Sequence, residues 1–241
     1  LDLHQNQLSG ALPTVLADLE ALQILYLNDN LFTGSIPPEL GNLSELRRLY
    51  LFNNQLSGPL PSTLGGLSYL ELLFVFNNQL DGSLPAELGN LANLQVLYAH
   101  DNQFSGEIPL ELGRLTSLQQ LYLHNNQLDG PIPAELTNLA NMAYFAALNN
   151  NLTGPLPQEI GQMTSLTRVY LERNRLSGIL PESLGTLSDL EILYLDNNTF
   201  VCDIPENFTD LINLTPGNFN IRYNRLNTNV SDELDAFLPA L

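Results

Sequence analysis

The chain has 241 residues and 44% hydrophobic side chains, enough for a core, but its formal net charge is -18, from 26 acidic residues against 8 basic ones, all of them Arg. A surface of that sign cannot neutralise phosphates, which argues against nucleic acid and anionic membrane as partners, and the acidity itself reads as a solubility feature. No apolar run approaches the roughly 20 residues of a membrane span, so membrane attachment is expected only through a segment outside this chain, and the single Cys202 offers no disulfide framework.

The elements recur along the chain. Asn6 is followed every 24 residues by Asn30, Asn54, Asn78, Asn102, Asn126, Asn150, Asn174 and Asn198, and then by Asn224 after a step of 26. A period in the twenties predicts a solenoid, here a single domain over 1–241 with about ten coils in 1–226. The chain starts at Leu1 in mid-repeat, so an upstream portion and an N-terminal cap are expected to be absent.

Each coil opens with Leu-x-x-Leu-x-Leu-x-x-Asn-x-Leu, as at Leu46, Leu49, Leu51, Asn54 and Leu56. The alternation of Leu-x-Leu predicts a short strand with leucines inward and their neighbours outward. The Asn should end the strand and bond the backbone of the adjacent coil. Next comes a segment such as Leu56-Ser57-Gly58-Pro59-Leu60-Pro61, in which Gly permits a turn and Pro is expected to keep an extended stretch out of a sheet interior. A third piece, such as Leu112-Gly113-Arg114-Leu115, returns the chain through a helical or 3₁₀ turn. The expected fold is an α/β solenoid, a curved right-handed superhelix with a parallel β-sheet on its concave face and short helical or 3₁₀ turns on its convex face.

The last coil departs from the others, with Cys202 at the Gly position, Phe208 at a Leu position and a two-residue insertion before Phe219. Beyond it Val230, Leu234, Phe237, Leu238 and Leu241 share one helical face, with Ser231 as N-cap and Asp232 and Glu233 in the first turn. This predicts a C-terminal capping helix over 227–241.

These motifs resemble the leucine-rich repeat superfamily, and the Ser/Thr-Gly-x-Ile/Leu-Pro element, as in Thr33-Gly34-Ser35-Ile36-Pro37, looks like its plant-type class, over essentially the whole chain. Members of that class include receptor-kinase ectodomains that bind peptides or steroids, secreted inhibitors of cell-wall-degrading enzymes, and surface proteins of algae and bacteria. The resemblance implies an extracellular, secreted or cell-surface recognition module with a protein or peptide partner; no cofactor is expected, and a monomer is. Peptide-binding receptors of the class often receive the peptide's terminal carboxylate on an Arg-x-Arg pair of a late strand. Here Arg168-Val169-Tyr170 keeps only the first Arg. Arg168, Arg173 and Arg222 are candidates to receive an anionic group, or to pair with Glu172, Glu191 and Asp196.

The residues between and beside the strand leucines should face out of the concave sheet. One column reads Asp2, Tyr26, Tyr50, Phe74, Tyr98, Tyr122, Ala146, Tyr170, Tyr194, Asn220, an aromatic stripe about 40 Å long at ~4.8 Å per strand. The next reads His4, Asn28, Phe52, Phe76, His100, His124, Leu148, Glu172, Asp196, Arg222, apolar or imidazole at its centre and charged towards its C-terminal end. With Tyr144 beside Ala146, these residues form the candidate ligand-binding face. The stripe has a second reading: duplication copied a ring that stacks on its neighbours, and the chain is a structural or adhesive module.

Catalytic and metal constellations are thin. His100 and His124 fall on adjacent strands with Asp101 nearby, but two histidines without an assured third ligand read better as contact residues, and no metal is assigned. Glu172 and Asp196 are spaced near the ~5 Å of a retaining glycosidase, yet an open sheet neither desolvates an acid nor encloses a sugar. A carbohydrate site there ranks last and no enzyme is expected. Cys202 lies on another side of the coil from every His, so no Cys-His dyad forms, and it reads as a small core residue or a partner for a segment outside the chain. Glycosylation sequons stand at Asn42, Asn151, Asn197, Asn207, Asn213 and Asn229.

Overall fold

The computed structural model describes residues 1–215 and 217–226. The expected strands are present. Ile24–Tyr26, Arg48–Tyr50, Leu72–Phe74, Val96–Tyr98, Gln120–Tyr122, Tyr144–Ala146, Arg168–Tyr170, Ile192–Tyr194 and Phe219–Asn220 form one nine-stranded parallel sheet. The register is the repeat itself: Leu25 lies opposite Leu49 and Leu49 opposite Leu73. The insertion is absorbed before Phe219, which pairs with Leu193. Inward leucines such as Leu49, Leu73, Leu97 and Leu121 are fully buried, and each contributes about 1.5–3 kcal/mol of transfer free energy.

The repeated Asn bonds its neighbours as expected. Nδ2 of Asn54 donates to the carbonyl of Leu27 in the preceding coil at 3.0 Å and to that of Leu51 at 3.1 Å, while its Oδ1 accepts the N–H of Phe32 at 3.1 Å. The same arrangement recurs from Asn30 to Asn224. It satisfies backbone groups that the turn out of the strand would otherwise leave unpaired.

The segment after the Asn departs from expectation, because it joins a sheet. Ser9–Ala11, Leu31–Gly34, Gln55–Pro59, Gln79–Gly82, Gln103–Glu107 and Gln127–Asp129 make a six-stranded parallel ladder, and Thr153–Gly154, Arg175–Gly178, Thr199–Cys202 and Arg225–Leu226 a four-stranded one. Proline is tolerated because it falls at a strand end, as Pro59 does, where a missing N–H costs least. A single bridge between Pro131 and Thr153 joins the two ladders. The Gly of this segment has positive φ throughout, for example +76° at Gly58, and Cys202 takes the same left-handed backbone at φ 69°. Cys202 is exposed rather than a core residue, because its turn points the side chain outward.

The return pieces are 3₁₀ turns. Most follow a proline held extended, such as Pro61 at φ -63° before Ser62–Gly66. The turns of adjacent coils pack closely: a Cβ on Gly41, Gly65, Gly89 or Gly113 would strike the carbonyl oxygen of Thr63, Glu87, Glu111 or Glu135 in the next coil. Thr137 occupies that place one coil later, and the turn packed on it shortens to Ile160–Gln162. The capping helix expected over 227–241 lies outside the described residues.

Candidate ligand-binding face

Strand pairing aligns the first outward column as read. It opens with the bridge of Asp2 to Tyr26, runs through Tyr50, Phe74, Tyr98 and Tyr122, passes Ala146, and continues through Tyr170 and Tyr194 to Asn220. The rings are half-buried because they lie on one another. Centroids are 4.6 Å apart for Tyr26 and Tyr50, 4.9 Å for Tyr50 and Phe74, 4.6 Å for Phe74 and Tyr98, and 4.5 Å for Tyr98 and Tyr122. The second column stacks alongside, Phe52 on Phe76 at 4.5 Å and Phe76 on His100 at 4.5 Å, and His100 on His124 at 4.2 Å. Burial raises the phenol pKa of Tyr50, Tyr98, Tyr122 and Tyr170 above the ordinary value. The stripe therefore packs upon itself while leaving ring edges open to a partner.

Both ladders stop at the same coil. Ala146 is buried and carries no ring, and Leu148 follows where the imidazoles end. Tyr144 lies instead beneath the guanidinium of Arg168, whose Cζ is 5.1 Å from the ring centroid. Beyond this point Tyr170 and Tyr194 meet edge to face at 5.6 Å. Arg168 reaches Glu191 at 3.5 Å, but its Nε is buried without a hydrogen-bond partner among the described residues, as is Oε2 of Glu172. Burial, with Asp196 adding repulsion, pushes the Glu172 carboxyl above the ordinary carboxylate range. Asp196 is buried and accepts from Nδ2 of Asn197 at 2.6 Å, while Arg173 and Arg222 are exposed.

At the other end of the break stand His100 and His124, with Asp101 beside them. Nδ1 of His100 is 2.7 Å from Oδ2 of Asp101, and Nδ2 of Asn125 donates to the other oxygen at 2.7 Å. Burial alone would raise the Asp101 carboxyl, but these hydrogen bonds and the two neighbouring imidazoles outweigh it and hold the pKa below the ordinary value. Burial, then the proximity of His100, pushes His124 down to about 4, so its ring is neutral at physiological pH.

The residue before each ladder Asn was not anticipated. Asp29, Asn53, Asn77, Asp101, Asn125 and Asn149 all adopt left-handed φ of 51–55°, a region Asn and Asp enter more readily than most residues. Their side chains form a further ladder: Asn77 donates to Asn53 at 2.8 Å and Asn53 to Asp29 at 2.6 Å, then Asn149 to Asn125 at 2.9 Å and Asn125 to Asp101. A carboxylate has no N–H to pass on, so each run ends on Asp. The repeated Asn-Asn and Asp-Asn doublets carried the signal. An open convex cavity of about 580 Å³ was also missed; it lies between the proline segments around Pro109, Pro133 and Pro157, rimmed by Glu111, Glu135 and Glu159. The recurring Pro-x-Glu was its signature.

Among the sequons, Asn42 is exposed and Asn151 half-buried. The amides of Asn207 and Asn213 donate at 2.8 Å to the carbonyls of Glu182 and Ser188 in the preceding coil, and that of Asn197 is held by Asp196. Asn229 lies outside the described residues.

A family model described as leucine-rich repeat region matches residues 4–150, and one described as Leucine Rich Repeat matches 165–187 and 189–211. No curated protein sequence matches significantly. Among solved structures, the ectodomain of the plant membrane receptor kinase GASSHO1/SCHENGEN3 from Arabidopsis thaliana, in complex with Casparian strip integrity factor 2, is 39% identical with a TM-score of 0.90 over 94% of this chain. The Arabidopsis receptor kinase HAESA, in complex with the peptide hormone IDA and the co-receptor SERK1, is 35% identical with a TM-score of 0.89 over 94%. This chain spans only 27% and 37% of those two receptor chains. A plant ice-binding protein is 27% identical with a TM-score of 0.79, and 72% of its chain is covered.

Proposed function

The chain belongs to the leucine-rich repeat family, in its plant-type class, and on that premise we propose that it is an extracellular, non-enzymatic, monomeric recognition module that binds a peptide along its concave face. The observation that carries this reading is the junction of two unlike surfaces on one sheet. A half-open double ladder of rings stops at the Ala146 coil, one coil before Arg168 and Glu172, each with a buried polar atom lacking a partner among the described residues. Rings offer large contact area at low entropic cost, and unpaired buried groups, costing about 1–3 kcal/mol each, favour a ligand that supplies both apolar side chains and polar termini. The similar receptor kinase HAESA, in complex with a peptide hormone, supports the same class of partner.

The test is a screen of a random peptide library against the purified chain. Binders should be lost on Phe76→Ala with Tyr98→Ala and weakened by Arg168→Ala, with Leu110→Ala on the convex side as a neutral control. Binding retained in the concave variants, or an empty screen, refutes the assignment. Self-stacking of the rings favours a second reading, a structural or adhesive module. That reading expects no binder and a lowered melting temperature for the same variants. A glycan array response that depends on Glu172 would instead move the site to the Glu172–Asp196 pair.

A further inference from the structure

The geometry of His100, Asp101 and His124 points to a binding site for one divalent transition-metal ion of the zinc class on the concave face. Each residue offers one ligand atom, and these atoms all lie within 4.8 Å of one another. The strand pairing that sets Tyr98 opposite Tyr122 fixes the histidines two residues further on as neighbours, and their rings lie 4.2 Å apart at 9°. For ligand bonds of about 2.1 Å, the donor atoms of a tetrahedral site are about 3.4 Å apart. The rings therefore need to close by roughly an ångström and tilt towards one another.

Three features prepare the group for an ion. Nδ1 of His124 has no hydrogen-bond partner among the described residues, so no protein group competes with an ion for it. Nδ1 of His100 shares a proton with Oδ2 of Asp101 at 2.7 Å. A neutral imidazole can carry its N–H on Nε2 instead, which frees both Nδ1 and the carboxylate oxygen for the metal with no net change in protonation. Asp101 is itself held in place, because Asn125 donates to its other oxygen at 2.7 Å. Outer hydrogen bonds of this kind orient metal ligands and raise affinity. Two nitrogens and one oxygen suit zinc and its neighbours better than calcium or magnesium, which prefer all-oxygen sets. Three protein ligands leave a fourth position open on the side of the sheet that faces solvent.

The repeat supplies the controls. Phe52 and Phe76 occupy the same column as the histidines, so His100→Phe and His124→Phe keep a ring in the stack while deleting a ligand. Calorimetric titration with Zn²⁺ in chelator-stripped buffer, and Co²⁺ titration followed by visible absorption, should show one ion per chain with tetrahedral d–d bands. Either Phe variant should abolish the Co²⁺ bands while the metal-free chain still melts in one cooperative transition, and Asp101→Asn should weaken Zn²⁺ binding about 10–100-fold. A large excess of Mg²⁺ should not displace the Zn²⁺. Absence of binding at millimolar Zn²⁺ would overturn the site. So would binding that survives both Phe variants or is displaced by Mg²⁺, since that marks the ion as a counter-ion on an acidic surface.

Discussion

The coils from Tyr26 to His124 and those from Tyr144 to Arg222 share one backbone repeat and differ in how their outward side chains find partners. In the first region nearly every outward group meets its own kind in the next coil, ring on ring in both columns and amide on amide beside them. In the second region the column changes chemistry at each step, through Leu148, Glu172, Asp196 and Arg222, so no ladder can form. The result is a surface with orphaned atoms at Arg168 Nε and Glu172 Oε2, whereas in the first region the orphaned atoms, Asn28 Oδ1 and His124 Nδ1, stand only at the two ends of the ring column. Repetition gives stability wherever neighbours are alike. Departure from it leaves groups that only a ligand or water can satisfy, which is why the second region is expected to set ligand specificity and the first to set rigidity.

The largest expected effect leaves that difference untouched and tests the frame both regions share. Asn102 donates to the carbonyls of Val75, Ala99 and His100 and accepts the N–H of Leu80. Asn102→Ala strands several of these at once and should cost about 3 kcal/mol or more, read as a drop in denaturant midpoint. Asn174, in the second region, makes the same bonds and should cost as much. A next, smaller effect separates the regions on the convex side. Gly89→Thr forces a side chain against the carbonyl of Glu111 and should cost about 1–3 kcal/mol, whereas Thr137→Gly, at the coil already adapted to a side chain, loses only the hydrogen bond of Oγ1 to the Ala134 carbonyl at 2.7 Å and should cost about 1 kcal/mol by the same measurement. In the ladders, Phe76→Ala removes stacking on both Phe52 and His100, at about 0.5–1.5 kcal/mol per ring pair beyond area burial. Tyr170→Ala loses a single edge contact to Tyr194 and should shift the melting temperature less.

Much of this was legible because a repeat multiplies every signal. One Leu-x-x-Asn is weak evidence, but nine Asn at a fixed interval, six of them in that motif, specify the inward leucines, the Asn ladder and the outward columns, and Leu49 and Asn54 behave as read. The second sheet was not legible, because Pro59 argues against a strand unless one knows that it falls at the strand end. Exposure of Cys202 follows from a left-handed turn that a single Gly-to-Cys change does not reveal. The candidate site was legible as two columns of residues. The orphaned atoms of Arg168 and Glu172 depend on side-chain rotamers and local burial, which no spacing encodes.

The last effects concern acidity, and they should have opposite signs in the two regions. His124 titrates near 4 in the folded chain against an ordinary 6.5, so the unfolded chain binds more protons between those values. Stability is full above about pH 6.5 and falls as the pH drops towards 4. Solvent reaching the ring reduces the loss to on the order of 1–2 kcal/mol, and His124→Phe should abolish it. Glu172 is shifted the other way, its folded pKa raised above the ordinary 4.5 by burial. There the folded chain binds the extra proton, so stability declines as the pH rises from about 4.5 through the folded pKa. Glu172→Gln keeps the shape without the charge and should raise stability above that window while leaving it unchanged well below. Denaturant midpoints measured from pH 3.5 to 8 for both variants separate the two contributions. If Glu172→Gln instead destabilises the chain at neutral pH, the ionised carboxylate has a partner, and the second region is no more open to a ligand than the first.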